Sequence, residues 1–495
     1  MRAHRRAQSA RPQGMSLANL LREAKGGACP EWCLVKPTLA SAIFFLRWVN
    51  TDEHEFYSEH FSQEFPYLSA IRACPPLLRS YCRGYWPWAP AWVKISVMRI
   101  CITSQNRYSR TPDGALWSRT GFTHSFWMRY LEVFDSVRVL ARVREAPAVP
   151  PGWKRLEEPG VEVFPIPFFR GPFEFLLRLG QIKSQLRKAI GPGDALILQM
   201  PAPLGPLIRS LIPSGRPFGV EALGDPLDLF SRGTYDTKFL FAIRILSYFQ
   251  MQTLCRKACA ASYVTKRALQ ARYPCPGFSV GVSDVLLGND CFRSRARVYG
   301  KEGVRRLLLV GSLEHRQKGP DILLEAFSRL PPQHRFSLTL VGDGCQRPFL
   351  EAMALRAGRK DRIKFVGQVP SNREVLAFFQ DADLFVLPSR AEGLPRAMIE
   401  AMAQGLPCLG SRVGGIPELL AEEDLIPVAD SAALAAKILE VAHDPERLQA
   451  MSERNLAMSR AFQGSRLEID RRRFLTYLRD ASVVWTCRAN RNRSG

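Results

Sequence analysis

Between residues 305 and 411, short apolar runs alternate with stretches of helical periodicity. The runs are Arg305–Ser312, Phe336–Gly344, Arg362–Val369, Ala382–Ser389 and a last one opening at Pro407 in "PCLGS". Arg305–Ser312 and Ala382–Ser389 are apolar at successive positions, not at alternate ones, so both faces of these strands must be covered. The intervening stretches "GPDILLEAFSRL", "RPFLEAMALRAG" and "NREVLAFFQ" read as helices. Strands buried on both faces and joined by helices build a doubly wound α/β domain around a parallel sheet. A further helix, Arg396–Gln404, is bounded by breakers. Gly393 and Pro395 precede it, Gly405 suits a left-handed C-terminal cap, and Pro407 stops continuation.

The segment upstream repeats the rhythm less cleanly. Met98–Ser104, Val137–Val143, Val161–Ile166, Asp194–Met200, Pro217–Leu223 and Ala261–Thr265 read as strands, most of them separated by helical patterns. We therefore expect one Rossmann-like domain over 98–290 and a second over 303–464, facing each other across a cleft, with a C-terminal helix and tail over 465–495. Residues 1–97 are rich in Trp, Tyr, Pro and Cys and lack sustained periodicity. The α/β rhythm starts abruptly at Met98, so this irregular extension reads either as an accessory segment or as sequence upstream of the natural start.

A chain of 495 residues with 46% hydrophobic content is globular and long enough for two or three domains. Its net charge of +23 calls for an anionic partner or surface. Residues 98–300 hold 28 Lys/Arg against 15 Asp/Glu, so the middle segment is the basic one. The twelve cysteines follow no metal-binding spacing, and no metal is expected. Unpaired cysteines in a large chain point to a reducing, cytoplasmic compartment. No stretch reaches the roughly 20 apolar residues that span a bilayer. Lys238–Ala258 mixes a broad apolar face with Arg244, Arg256 and Lys257. It reads either as a core helix with solvated basic edges or as an interfacial helix on an anionic membrane.

The stretch "EGLPRAMIEAMAQGLP" places Glu392 in the loop entering a helix and Glu400 about one and a half turns into it. It is preceded by "VGSLEHRQKGPDILLEAF", "LVGDG" and "FVGQV" and followed by "GGIPEL". In this order the motifs resemble the donor-binding half of glycosyltransferase family 4, whose members have the two-domain GT-B fold. The resemblance covers about residues 98–480 and is strongest from about 305 to 420.

It implies a retaining, hexosyltransferase-type enzyme that moves a sugar from a nucleoside-diphosphate sugar to a saccharide or lipid-linked acceptor. The donor is a substrate, so no cofactor is implied. Glu392 would bind the donor sugar and Lys318 would meet the diphosphate as it gains charge. Glu400 would accept hydrogen bonds from the ribose diol. Gly311, Ser312, Gly342, Gly393 and Leu394 would border the donor, with Gly367 and Val369 near the nucleobase and Gly414 and Gly415 near the sugar diphosphate. The family commonly has Arg after the loop glycine. Here Ser312 follows Gly311, which leaves Arg316 as the nearby replacement. Acceptor-side candidates are Asp113, Gly114, His124, Glu221 and Asp225. The helix over Arg466–Asp480 would cross back onto the first domain.

Asp381–Asp383 mimics a metal-binding DxD, but its place between helix and strand favours capping. Two rival readings share parts of this pattern. A GT-B epimerase would use the same nucleotide site without an acceptor cleft. A nucleic-acid binder would account for the charge, but the chain lacks the aromatic-basic interleaving of such modules.

Overall fold

The computed structural model describes residues 97–118, 124–149, 153–156, 159–231, 240–285, 287–300, 303–369 and 372–494. The expectations for residues 1–96 lie outside them.

The first sheet contains β1 (Arg99–Arg110), β2 (Leu116–Ser118), β3 (Ser136–Glu145), β4 (Lys154–Leu156), β5 (Val161–Pro167), β6 (Ala195–Met200), β7 (Gly219–Ala222), β8 (Ala260–Tyr263) and β9 (Phe278–Gly281). Its parallel strands run in the order β5-β3-β1-β6-β7-β8-β9. The short strand β2 pairs antiparallel with the last three residues of β1, and β4 pairs antiparallel with β2. All six residues of β6 are buried, as a central strand covered on both faces requires.

The second sheet is parallel throughout. It contains β10 (Arg306–Val310), β11 (Ser337–Val341), β12 (Ile363–Gly367), β13 (Leu384–Leu387), β14 (Cys408–Ser411) and β15 (Leu425–Ile426), in the order β12-β11-β10-β13-β14-β15. Strand order reverses between β10 and β13, so the loops leaving those two strands diverge and leave a crevice at their carboxyl ends. The apolar runs read from the sequence form these strands because each sits in one continuous core with the helices on both faces. Helix Arg396–Ala403 ends where expected, with Gly405 in the left-handed region at φ +62°.

The helix Gly464–Ser494 leaves the second domain and packs on β8 and β9 of the first. It buries Phe474, Leu475 and Leu478 in the first domain's core, and Arg472 reaches Glu132 at 2.8 Å. The capping role expected for Asp381–Asp383 is corrected. Asp383 accepts from the backbone N–H of Arg305 and Arg306, and the two carboxylates bracket the Arg306 guanidinium. The pair pins the start of β10 to the start of β13.

Candidate active site

The crevice between β10 and β13 gathers three polar side chains. Lys318 comes from the loop after β10, while Ser389 and Glu392 come from the loop after β13. The Lys318 ammonium donates to both Glu392 oxygens, at 2.7 and 2.8 Å. The Ser389 hydroxyl donates to Glu392 Oε1 at 2.6 Å. Glu392 is 5% exposed, and the Lys318 side chain 25%. An ammonium has three protons, so Lys318 keeps one for a ligand after bonding both Glu392 oxygens. Among the described residues Glu392 Oε2 accepts only from Lys318, and it retains capacity for a sugar hydroxyl. Ser389 was not anticipated from sequence. Its signal is local: an alcohol at the end of a buried strand, three residues before the acid.

Glycines let the neighbouring loops close on this pair. A Cβ on Gly311 would lie 3.1 Å from Lys318 Cγ, so Gly311 forms the floor under that side chain. Gly342 and Gly367 meet in a backbone bridge at the ends of β11 and β12, and Gly342 donates to the Gly367 carbonyl at 2.9 Å. Val369 packs partly buried against the second domain's core. Ser312 accepts from the Glu314 N–H at 3.2 Å and shapes the turn.

Arg316, expected as the second donor cation, turns away from Lys318 in this structure. Its guanidinium stacks over Phe349 at 4.6 Å and donates to Gln346 at 3.3 Å. Arg390 is engaged as well, in a two-pronged pair with Asp321. Glu400 lies on the helix Arg396–Ala403, and burial pushes its carboxyl above the usual range against the pull of Arg396. Among the described residues its carboxylate accepts no hydrogen bond, which leaves it open to a diol.

The loops that carry Gly393 and Gly414 also form the junction between domains. Leu394 packs against the cores of both. A Cβ on Gly393 would lie 2.1 Å from the Leu223 carbonyl, and one on Gly414, at φ +55°, 2.1 Å from the Glu392 carbonyl. Neither position has room for a side chain. Gly415 donates to the Gly393 carbonyl at 2.7 Å. Glu418 then reaches the first domain, accepting from the backbone N–H of Lys266, Arg267 and Ala268 at 2.7, 3.1 and 2.7 Å. Asp228 faces the Gly414 amide from the first domain. Both carboxylates escaped sequence reasoning because their partners are far away along the chain.

The acceptor-side candidates Asp113, Gly114, Glu221 and Asp225 are engaged within the first domain. Glu221 accepts from Tyr130 at 2.8 Å and from Gln199 at 3.0 Å, so both oxygens serve the first domain's interior. Burial pushes its carboxyl up, with the charge of Asp284 adding to the effect. Asp225 caps the turn Pro226–Leu229 by accepting from Leu227, and it also bonds Tyr273 and Arg272. Asp113 and Gly114 make the tight turn between β1 and β2, with Asp113 accepting from Thr111 and Ala115. The backbone of His124 opens the helix His124–Leu131, and its side chain lies outside the described residues.

Residues 293–458 match the family described as glycosyl transferases group 1. With two Rossmann-like domains facing across a cleft, the fold is GT-B, and the class is that of a glycosyltransferase enzyme. The chain is 29% identical over 317 residues to protein CapJ of Staphylococcus aureus, a match covering 63% of this chain and 78% of that protein. It is 32% identical over 177 residues to the amylovoran biosynthesis glycosyltransferase AmsK of Erwinia amylovora, covering 34% of this chain and 43% of AmsK. The latter match thus spans less than half of its relative's length. Among solved structures, sucrose-phosphate synthase from Thermosynechococcus elongatus shares the fold, with a TM-score of 0.55, 17% identity, and coverage of 75% of this chain and 96% of that one.

Proposed function

We propose that this chain is a retaining glycosyltransferase of the family 4 type. It transfers a hexosyl group from a nucleoside-diphosphate sugar to a saccharide or lipid-linked acceptor in polysaccharide or glycoconjugate biosynthesis. The observation that carries the reading is the Lys318–Glu392–Ser389 cluster at the switch point of the second sheet. Lys318 is placed to meet the charge that grows on the diphosphate, and Glu392 to bind the sugar beside it. Retention rests on the family resemblance and proceeds by front-face displacement. The departing phosphate oxygen takes the acceptor's proton, so no enzyme nucleophile is needed.

The test begins with a thermal-shift screen of nucleotide sugars, since a ligand that binds the native state raises Tm by mass action. With the donor so identified, Glu392→Gln is expected to lower transfer by about tenfold or more with the fold intact. Glu400→Ala is expected mainly to raise the donor KM. Steady-state kinetics of both variants check this, and wild-type values in both would remove the donor site from these residues. Nucleotide release only in the presence of an acceptor separates transfer from epimerisation.

A second observation supports work at an anionic membrane on the cytoplasmic side. In helix Leu240–Lys257, Phe241, Ile245, Leu246 and Phe249 form one exposed face, with Phe241 74% exposed, while Met251, Leu254 and Cys255 are buried. The helix Gly171–Leu177 likewise exposes Phe173, Leu176 and Leu177, and Arg170 and Arg178 flank it. Such a face lies in a membrane interface, and nearby cations favour anionic lipid. Among the described residues no helix is long and apolar enough to cross a membrane. Co-sedimentation with phosphatidylglycerol vesicles is expected at low salt, with release at high salt. The double variant Phe241→Glu/Phe249→Glu is expected to stay in the supernatant. Equal binding of wild type to neutral vesicles, or none to either, would count against this reading.

A further inference from the structure

Lys318 is one cation facing a diphosphate that carries more than one charge. Ser312 stands where the family pattern places an arginine, and Arg316 is held by Phe349 and Gln346. The end of β1, in the opposite domain, offers a replacement. The pairing of β1 with β3 shifts register between Thr103 and Arg107, and the strand resumes with Arg107 opposite Arg142. A bulge at the carboxyl end of a central parallel strand is a common way to re-aim side chains into a site.

Arg107 is exposed, and among the described residues no hydrogen bond or ion pair engages its side chain. Arg142 donates to the carbonyls of Gln105 at 2.8 Å and Phe169 at 3.5 Å, and lies 4.8 Å from the Phe169 ring. Among the described residues neither arginine meets a carboxylate. Inside the same bulge, the Gln105 side-chain amide nitrogen is buried with no acceptor.

The charges in this corner repel one another. Burial lowers Arg142 to about 10, and the charge of Arg107 contributes. Across the cleft, His315 lies on the donor loop, three residues before Lys318. Burial depresses it, Glu314 pulls the other way, and Arg107 is close enough to add to the depression. Arg107 lies past the register shift at the carboxyl end of β1, the end of a doubly wound sheet where ligands bind. Like charges gathered at a strand's carboxyl end are relieved by a bound anion.

We propose that Arg107 is the second cation of the donor site, reaching the diphosphate of the nucleotide sugar from the first domain while Lys318 reaches it from the second. The inference rests on the donor reading above. A guanidinium presents a planar fork that can bond two phosphate oxygens at once. Its contribution grows as the bond to the anomeric carbon breaks and charge collects on the leaving diphosphate. With one cation on each domain, the site is complete only when the cleft is closed.

The experiment uses the full chain and its Arg107→Ala and Arg107→Lys variants. Titration calorimetry measures binding of UDP, GDP, inorganic pyrophosphate and uridine, and kinetics follow sugar transfer. For Arg107→Ala the expected result is at least about tenfold weaker binding of whichever diphosphate the wild type binds. A loss of about a hundredfold in kcat/KM is expected alongside it. Uridine affinity and ligand-free Tm are expected to stay at wild-type values, and Arg107→Lys to recover part of the loss. If Arg107→Ala binds diphosphates normally and only the acceptor KM rises, the cation serves an anionic acceptor and the donor assignment is overturned. Unchanged binding and kinetics would overturn it too. A wild type that binds none of the diphosphates and none of the nucleotide sugars would instead bring down the functional reading on which the inference rests.

Discussion

Replacing Lys318 by alanine is expected to lower kcat/KM for sugar transfer by about 10²–10³-fold, the usual loss when a donor aimed at developing negative charge is removed. The same change is expected to destabilise the second domain. Glu392 is nearly buried, and both of its oxygens take protons from Lys318. Without the lysine that carboxylate keeps only the Ser389 hydroxyl. Breaking a buried ion pair on one side costs about 3–5 kcal/mol, because the remaining charge is stranded. The two effects separate in the double variant Lys318→Ala/Glu392→Gln. Removing the stranded charge restores much of the stability, whereas activity stays low because nothing replaces the ammonium at the phosphate. Thermal melts and donor kinetics on the four proteins of the cycle measure both terms. The wild type is expected to keep its activity in EDTA, since Lys318 occupies the place where a metal would otherwise act. Wild-type stability and kinetics in Lys318→Ala would end the assignment, as would loss of activity on chelation with rescue by Mg²⁺ or Mn²⁺.

Much of this site is written locally in the chain. Apolar runs separated by helical periodicity mark the strands, so β10, β11, β12, β13 and β14 could be read with edges off by one to three residues. Lys318 and Glu392 were legible because each sits in a short motif beside a strand end. What could not be read depends on partners remote in sequence. Glu221 and Asp225 look like free acids after a strand. Their neighbours Tyr130, Gln199, Arg272 and Tyr273 arrive from other elements and bond their oxygens. Arg316 sits next to Lys318 in the chain but turns to Phe349, since a one-turn 3-10 segment at Arg316–Lys318 sends alternate side chains to different sides. The register shift in β1 has no signature in "CITSQNRYSR", because it arises from pairing with β3. Glu418 stands in a recognisable motif, yet the backbone N–H groups that donate to it lie about 150 residues upstream, in the other domain.

Asp228→Asn is expected to raise thermal stability at pH 7.5 and to leave it unchanged at pH 4. Asp228 sits at the domain junction, facing the Gly414 amide, with Asp225, Arg272 and Arg244 as its charged neighbours. Burial pushes its carboxyl up to about 6, and the negative charge of Asp225 adds to the rise. Arg272, Arg244 and the Gly414 amide pull the other way without cancelling it. In the unfolded chain this group loses its proton near the ordinary aspartate value of about 4. Between about pH 4 and 6 the folded protein therefore holds a proton that the unfolded chain has released. Stability from this group is complete below that window and falls as pH rises through the folded value. Above it, the folded chain carries a buried charge whose penalty is about 1–3 kcal/mol, allowing for partial solvent screening. Asparagine is uncharged and can still accept from the Gly414 N–H through its amide oxygen. The gain should thus appear as a Tm higher by a few degrees at pH 7.5 and vanish as the wild-type carboxyl protonates. Melts of both proteins at half-unit steps from pH 4 to 8 trace the difference. An equal shift at every pH would mean that packing, not charge, separates the variants, and a lower Tm at pH 7.5 would mean that the junction depends on the ionised carboxylate.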